Sequence, residues 1–303
     1  MYRYSNTSII LKVSIAVLFI IGMVLECSCE RSEEPKKAGT GYITYTLHWD
    51  SVIPGFSAPE KLRYCIYPSE GGPMIQTDGD ANGITLFLPP DKYNVLIFNY
   101  DAKNIDFRNM SKFEEAEAYT LQTKATGTGS QGITPLYGLV IDTLEVLPNV
   151  ENSAILVPTP LVRHISFKVQ IDKPEEIQAC QGSLSGVLTS LNLSKRKVTT
   201  QATTSVKFNM ETSEIGMGGD LIILGSPHPT ENEQHPVTHQ VTMDFTLSDG
   251  STVSSTVDLG NKLNEIDSPH INVSMNATVE KSPNFSIRLQ NWEVGPGEET
   301  TIE

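Results

Sequence analysis

The chain has 303 residues with 22 Lys+Arg against 36 Asp+Glu, a formal charge of −14. That balance repels a phosphate backbone, so no nucleic-acid partner is expected, and the length suffices for two domains of ordinary size, each with its own core. Hydropathy is organised around the N-terminal stretch Ile9 to Glu34. Its apolar centre, Val13 to Leu25, is 13 residues long and follows Arg3 and Lys12, the length and flank of a secretory signal. A helix of that length rises only about 20 Å, short of the roughly 30 Å hydrocarbon core of a bilayer, which makes a permanent spanning helix the weaker reading.

The run ends at Glu26 and meets Cys27-Ser28-Cys29. This resembles the lipobox of bacterial lipoproteins, in which a small residue precedes a cysteine that is lipidated on sulfur and becomes the new N-terminus. Cys29 is the expected lipid site because Ser28 stands before it. Cys27, preceded by bulky, charged Glu26, is the alternative, with simple cleavage or an uncleaved anchor as the other readings. The sequence departs from the lipobox pattern three positions before Cys29, where Glu26 replaces the usual Leu. The following Glu30-Arg31-Ser32-Glu33-Glu34 resembles the acidic export tag of Bacteroidota surface lipoproteins, which implies an outer-membrane protein facing outward. Each buried acyl methylene contributes about 0.8 kcal/mol, and stable attachment takes more than one chain. Residues 1–28 are thus expected to be a lipoprotein signal peptide and 29–41 a solvated tether.

From Tyr42 the pattern changes to period two, with Ile43, Tyr45, Leu47 and Trp49 on one face of a half-buried strand. Leu62, Tyr64 and Ile66 alternate in the next strand, and Tyr93 to Tyr100 is nearly continuously apolar, as in a strand covered on both faces. Ser111 to Tyr119 predicts a short helix, capped by Ser111 with Glu114 three residues on. Short strands are expected at Tyr119 to Thr123, Leu136 to Asp142 and Ala154 to Val157. Pro158 and Pro160 then punctuate the chain and place a boundary between residues 42–159 and 160–303. Beyond it Ile165, Phe167, Val169 and Ile171 alternate with polar residues, and Gly182 to Leu193 and Ser205 to Met210 read as strands around a basic loop, Lys195-Arg196-Lys197. Val241 to Leu247, Asp249-Gly250 and Val253 to Leu259 form a hairpin signal, and Ile271 to Met275 and Phe285 to Trp292 close the chain. Around a dozen short strands predict an all-β pair of sandwiches. Cys65 and Cys180 read as small buried hydrophobes rather than a disulfide.

Several blocks resemble the fimbrillin-like lipoproteins of the Bacteroidota: the signal with Cys29, Leu88 to Asn99 with Phe113 to Thr120, Gly182 to Leu193, and Phe285 to Trp292. The resemblance implies two transthyretin-like β-sandwich domains on a lipid anchor. In polymerising members it implies that an arginine-specific protease removes an early strand and a neighbour's strand fills the groove. No arginine stands between Arg31 and Arg63 here, and Arg63 lies inside an apolar strand, so a permanently anchored member is expected. Its partners would be the outer membrane through acyl chains, fimbrial subunits by strand addition, and host or glycan ligands. The alternative is a stand-alone glycan-binding surface lipoprotein using aromatics such as Tyr137 or Trp292.

No catalytic constellation emerges, and no cofactor is expected. Gly127, Gly129 and Gly132 match a dinucleotide-binding spacing, but Pro135 follows in place of a helix. GSLSG at Gly182 to Gly186 carries Leu184 where a hydrolase elbow needs its nucleophile. His228, His235 and His239 are weak metal candidates whose spacing fits no compact zinc signature. Asp78, Asp80 and Asn82 resemble the start of a calcium loop but lack its closing glutamate, and read as a polar turn.

Overall fold

A computed structural model describes residues 39–121, 130–198, 202–213, 216–225, 238–280 and 286–297. The strands in chain order are β1 (Gly41–Leu47), β2 (Lys61–Pro68), β3 (Ile75–Asp80), β4 (Gly83–Leu88), β5 (Asp91–Asn99), β6 (Ile105–Arg108) and β7 (Glu117–Thr120). There follow β8 (Ser130–Gln131), β9 (Tyr137–Val146), β10 (Glu151–Leu156), β11 (Thr159–Pro160), β12 (Val162–Ile171), β13 (Ile177–Leu188) and β14 (Ser190–Asn192). The last are β15 (Lys197–Val198), β16 (Thr203–Ser213), β17 (Gly216–Leu224), β18 (His239–Leu247), β19 (Thr252–Gly260), β20 (His270–Glu280) and β21 (Ser286–Pro296). The protein is all-β with two β-sheet domains, as the alternation predicts.

The first domain is an eight-stranded sheet in the order β10-β1-β4-β3-β2-β5-β9-β11. Strands β3 and β4 share one residue pair, Asp80 with Gly83, so the sheet turns over at that hairpin and its halves face each other. Ile43, Tyr45 and Leu47 of β1 meet Leu62, Tyr64 and Ile66 of β2 and Tyr93, Val95 and Ile97 of β5 in one buried cluster. Each of the aliphatic side chains among them contributes about 1.5–3 kcal/mol by leaving water. The alternate residues Leu96 and Phe98 of β5 point the other way, into a second cluster with Tyr67, Tyr137, Ala118 and Leu191. A four-stranded sheet, β15-β14-β7-β6, covers that side. The continuous apolar run of β5 is therefore buried on both faces.

The second domain is a nine-stranded sheet, β19-β18-β13-β16-β17-β12-β20-β21, with β8 added beside β16. Phe167 of β12 stacks on Phe208 of β16, ring centroids 4.4 Å apart, although the two strands are not neighbours in the sheet. The layers thus close on each other as a sandwich. The Phe208 ring lies over Gly182, where a Cβ would come within 2.3 Å of its Cζ, which explains the glycine that opens the GSLSG segment. The β18–β19 hairpin forms where Asp249-Gly250 places it, with Gly250 at φ 83° and its N–H donating to the Leu247 carbonyl at 2.9 Å.

The domains share one strand plan. The order β10-β1-β4-β3-β2-β5-β9 corresponds to β20-β12-β17-β16-β13-β18-β19, and β1 and β12 each have an antiparallel neighbour on one side and a parallel one on the other. Thr46 pairs with Gly83 as Gln170 pairs with Gly216. A Cβ on Gly83 would lie 1.9 Å from the Tyr45 carbonyl oxygen, and one on Gly216 would lie 2.0 Å from that of Val169. The same bare backbone contact therefore recurs at the same place in both domains.

Two predicted elements are corrected. Ser111 to Tyr119 is not a helix but one 3-10 turn, Phe113–Glu115, followed by β7. Glu117 to Thr120 pair with β6, and Glu117 to Tyr119 also with β14; Ala116, Glu117 and Ala118 are buried, and Glu117 is ion-paired with Arg108. These ladder bonds and burial outweigh a nine-residue helix, too short to hold alone. The single strand expected over Gly182 to Leu193 divides at Thr189, because β14 leaves the second sheet to pair with β7.

Candidate functional site at the open sheet edge

Strand β1 is held on both sides. Tyr42 to Leu47 run parallel to Glu151 to Leu156 of β10, and Gly41 to Thr46 run antiparallel to Gly83 to Leu88 of β4. Its inward residues Ile43, Tyr45 and Leu47 are buried, so β1 is part of the core. Among the described residues β10 ends the sheet, and Glu151 to Ile155 are exposed on both faces, with Ile155 65% exposed. After Glu151 the strand reads Asn-Ser-Ala-Ile-Leu, without the lysine or proline that usually blunts a free edge. The equivalent strand β20 is covered along its length by β21, from the Ile271–Pro296 pair to the Glu280–Ser286 pair. Among the described residues the first domain stops one strand short of the second at this edge.

The outer face beside this edge is partly apolar. Tyr42 and Phe87 pack edge to face at 5.1 Å, Phe87 being 63% exposed, and the hydroxyls of Thr44 and Thr85 meet at 3.1 Å. Arg63 lies in β2 between β3 and β5. Its guanidinium donates to both Asp78 oxygens at 2.9 and 3.1 Å and sits 4.2 Å from the Tyr100 ring centroid. The hydrogen bond from Arg63 holds the Asp78 carboxyl below the usual carboxylate range.

The residues singled out from the sequence are dispersed. Cys27, Cys29, His228, His235, Gly127 and Gly129 lie outside the described residues. Among the described residues no three His, Cys, Asp or Glu side chains are grouped to hold a metal. Asp78 is committed to Arg63, and Asp80 Oδ1 accepts the Asn82 N–H at 2.8 Å, so this segment is a polar turn. Cys65 and Cys180 are both free and buried, and burial pushes their thiols up to about 11 and about 12. Tyr137, expected above as a glycan-binding aromatic, is instead a core residue: it opens β9, is 1% exposed, and its hydroxyl accepts the Ile53 N–H at 3.0 Å. Trp49 is half-buried against Tyr137 with Nε1 donating to the Ala81 carbonyl at 2.8 Å, and Trp292 is half-buried against the second core.

His239 opens β18 and is buried. Its Nδ1 lies 3.2 Å from the Ser185 carbonyl oxygen and its Nε2 3.3 Å from Asn264 Oδ1. Burial, aided by the nearby Arg163 charge, lowers its pKa below 6.5. The unfolded chain then binds a proton at higher pH than the native one, so stability falls as pH drops through about 6.5. Urea unfolding at pH 7.5 and 5.5 should show a smaller acid-induced loss in His239→Gln than in wild type. An equal loss would mean that the imidazole titrates normally in the fold.

The family described as Domain of unknown function (DUF5119) matches residues 38–209, more than half of the chain. The chain belongs to that family. The family match runs from β1 into β16 and so takes in the whole open edge. A relative from Bacteroides ovatus, "Putative fimbrium anchoring subunit Fim4B", is 25% identical over 180 residues, which are 56% of this chain and 53% of the relative. The match therefore spans about half the length of that curated relative. Among solved structures, a "putative adhesin" from Bacteroides ovatus superposes with a TM-score of 0.62 at 19% identity, covering 88% of this chain and 98% of the other. The fimbrial anchor protein Mfa2 from Porphyromonas gingivalis superposes with a TM-score of 0.52 at 11% identity, covering 86% and 100%. The likenesses to solved structures establish the fold, and two of these three relatives are described as fimbrial anchors and the third as an adhesin.

The open edge and the shared strand plan escaped the sequence reading. One signal was available: Gly83 and Gly216 each open a strand, in GITLFL and GMGGDL, and each faces the first long strand of its half.

Proposed function

We propose that this chain is a non-enzymatic, lipid-anchored outer-membrane protein that seats a fimbrial subunit by strand addition at β10. The observation that carries this reading is the exposed, nearly uncharged β10 edge, at the position where β21 completes the second domain. Strand β1 stays in place, because its side chains are core residues and Arg63 is locked in mid-sheet. A subunit that keeps its first strand also keeps the tether behind it, and with it a lipid on Cys29. Replacing Cys29 with Ala should shift the protein from the membrane to the soluble fraction and abolish metabolic labelling with a fatty acid. Full labelling and full membrane retention in Cys29→Ala, with loss in Cys27→Ala, would move the lipid to Cys27.

A further inference from the structure

A cleft of about 1100 Å³ opens where the two domains meet. The outer face of β12 and β17 forms its floor, β16 contributes one wall, and Phe56 and Ile133 of the first domain stand at its rim. Nothing in the anchoring role uses it.

At one position the floor is bare without a packing reason. On β17, a Cβ on Gly216 would lie 2.0 Å from the Val169 carbonyl oxygen, and one on Gly219 2.5 Å from that of Asn209. Gly218, between them and Lys168 across the ladder, differs. A Cβ there would meet only the Phe167 carbonyl oxygen, at 3.7 Å, an ordinary contact. By the shared strand plan, the position equivalent to Gly218 in the first domain is Thr85, which carries a side chain. The strand geometry thus admits a residue that the sequence withholds, and the space is left to the cleft.

The rim aromatic is held from below. Ile53-Pro54-Gly55-Phe56 is a type II turn, with Gly55 at φ 80° and the Phe56 N–H donating to the Ile53 carbonyl at 3.0 Å. Ile53 is fully buried and tied to Tyr137 through its own N–H. Phe56 is therefore a 42% exposed ring on a rigid mount. Polar groups of both signs line the space beneath it. Lys168 and Lys207 are balanced by Glu211 and Asp220, and Asp220 accepts from Ser166 and lies 3.0 Å from His164 Nε2.

We propose that this interdomain cleft binds a neutral oligosaccharide, with Phe56 against one apolar sugar face and Lys168, Glu211 and Asp220 bonding hydroxyls above the bare floor at Gly218. A hydroxyl both donates and accepts, so it uses ammonium and carboxylate partners alike. An aromatic ring supplies the rigid apolar surface that a sugar's C–H face fits. The balanced lining, on a chain of net charge −14, gives no excess positive charge to hold an acidic polysaccharide. An added peptide strand needs a free ladder edge, and β12 offers none, being paired on both sides by β17 and β20. This binding goes beyond the anchoring role and holds whether or not a fimbrial subunit docks at β10.

The test uses the detergent-solubilised full chain titrated calorimetrically with cello-, malto-, xylo- and manno-hexasaccharides and, as the acidic counterpart, a heparin hexasaccharide. At least one neutral hexasaccharide should bind wild type and lose at least about tenfold in affinity in both Gly218→Leu and Phe56→Ala, with thermal midpoints near wild type. If Gly218→Leu unfolds, Phe56→Ala and Asp220→Asn decide in its place. Absence of neutral-sugar binding, binding of the heparin hexasaccharide alone, or wild-type affinity in the folded variants would overturn the proposal.

Discussion

Gly83→Ala and Gly216→Ala should each lose on the order of 3–5 kcal/mol of stability in urea unfolding, enough to empty much of the folded state of a marginal domain. The new methyl carbon would sit 1.9 Å from the Tyr45 carbonyl oxygen in the first case and 2.0 Å from the Val169 oxygen in the second. Neither oxygen can retreat without breaking the pairing of β1 or β12 with its antiparallel neighbour. The backbone at Gly83 also has φ 130°, which an alanine rarely adopts. Two controls separate these causes. Gly55→Ala, at φ 80° with nothing within 4 Å, should cost only the conformational strain of about 1–3 kcal/mol. Gly218→Ala, with only an ordinary contact at 3.7 Å and no positive φ, should be near neutral. A loss at Gly83 no larger than at Gly218 would mean that close approach to β1 does not hold the first domain together.

Ile155→Lys should abolish capture of a fimbrial subunit while changing the unfolding midpoint little. Ile155 is 65% exposed on the terminal strand, so a polar replacement removes almost no buried contact and falls within about 0.5 kcal/mol of neutral. A lysine on an edge strand is nonetheless effective against strand addition, because the incoming strand would have to cover or displace a hydrated charge. Phe87→Ala, on the sheet's outer face rather than on its edge, supplies the contrast. If the partner docks along β10, capture should survive Phe87→Ala; loss there with retention in Ile155→Lys would shift the contact to the outer face.

Most of the fold is legible in the residues, because period-two alternation fixes which face of a strand is buried. Ile43, Tyr45 and Leu47 point inward as their spacing demands, and so do Phe167, Val169 and Ile171. The continuous run in β5 likewise announces two covered faces. What covers them is not local information. The second layer over Leu96 and Phe98 comes from β7 and β14, brought together from Glu117 and Asn192, distant in sequence. For the same reason Ser111 to Tyr119 reads as a helix when its partners are out of view. The open edge is less legible still. Glu151 to Leu156 looks like any short strand, and its exposure depends on which strands stand beside β1 and on the absence of a β21 equivalent among the described residues. The cleft at Gly218 becomes visible only by comparing two halves that share a strand plan without a repeating sequence.

Site-specific photo-crosslinking on intact cells tests the anchoring claim most directly. A photoreactive residue is placed at Ile155, and in a parallel strain at Asn276, its counterpart on β20, which pairs with Gln290 of β21. The expected result is a covalent adduct with a fimbrial subunit from position 155 and none from position 276, lost when Lys replaces the neighbouring Ala154. Subunit adducts of equal yield from both positions, or none from position 155 on fimbriated cells, would contradict strand addition at β10.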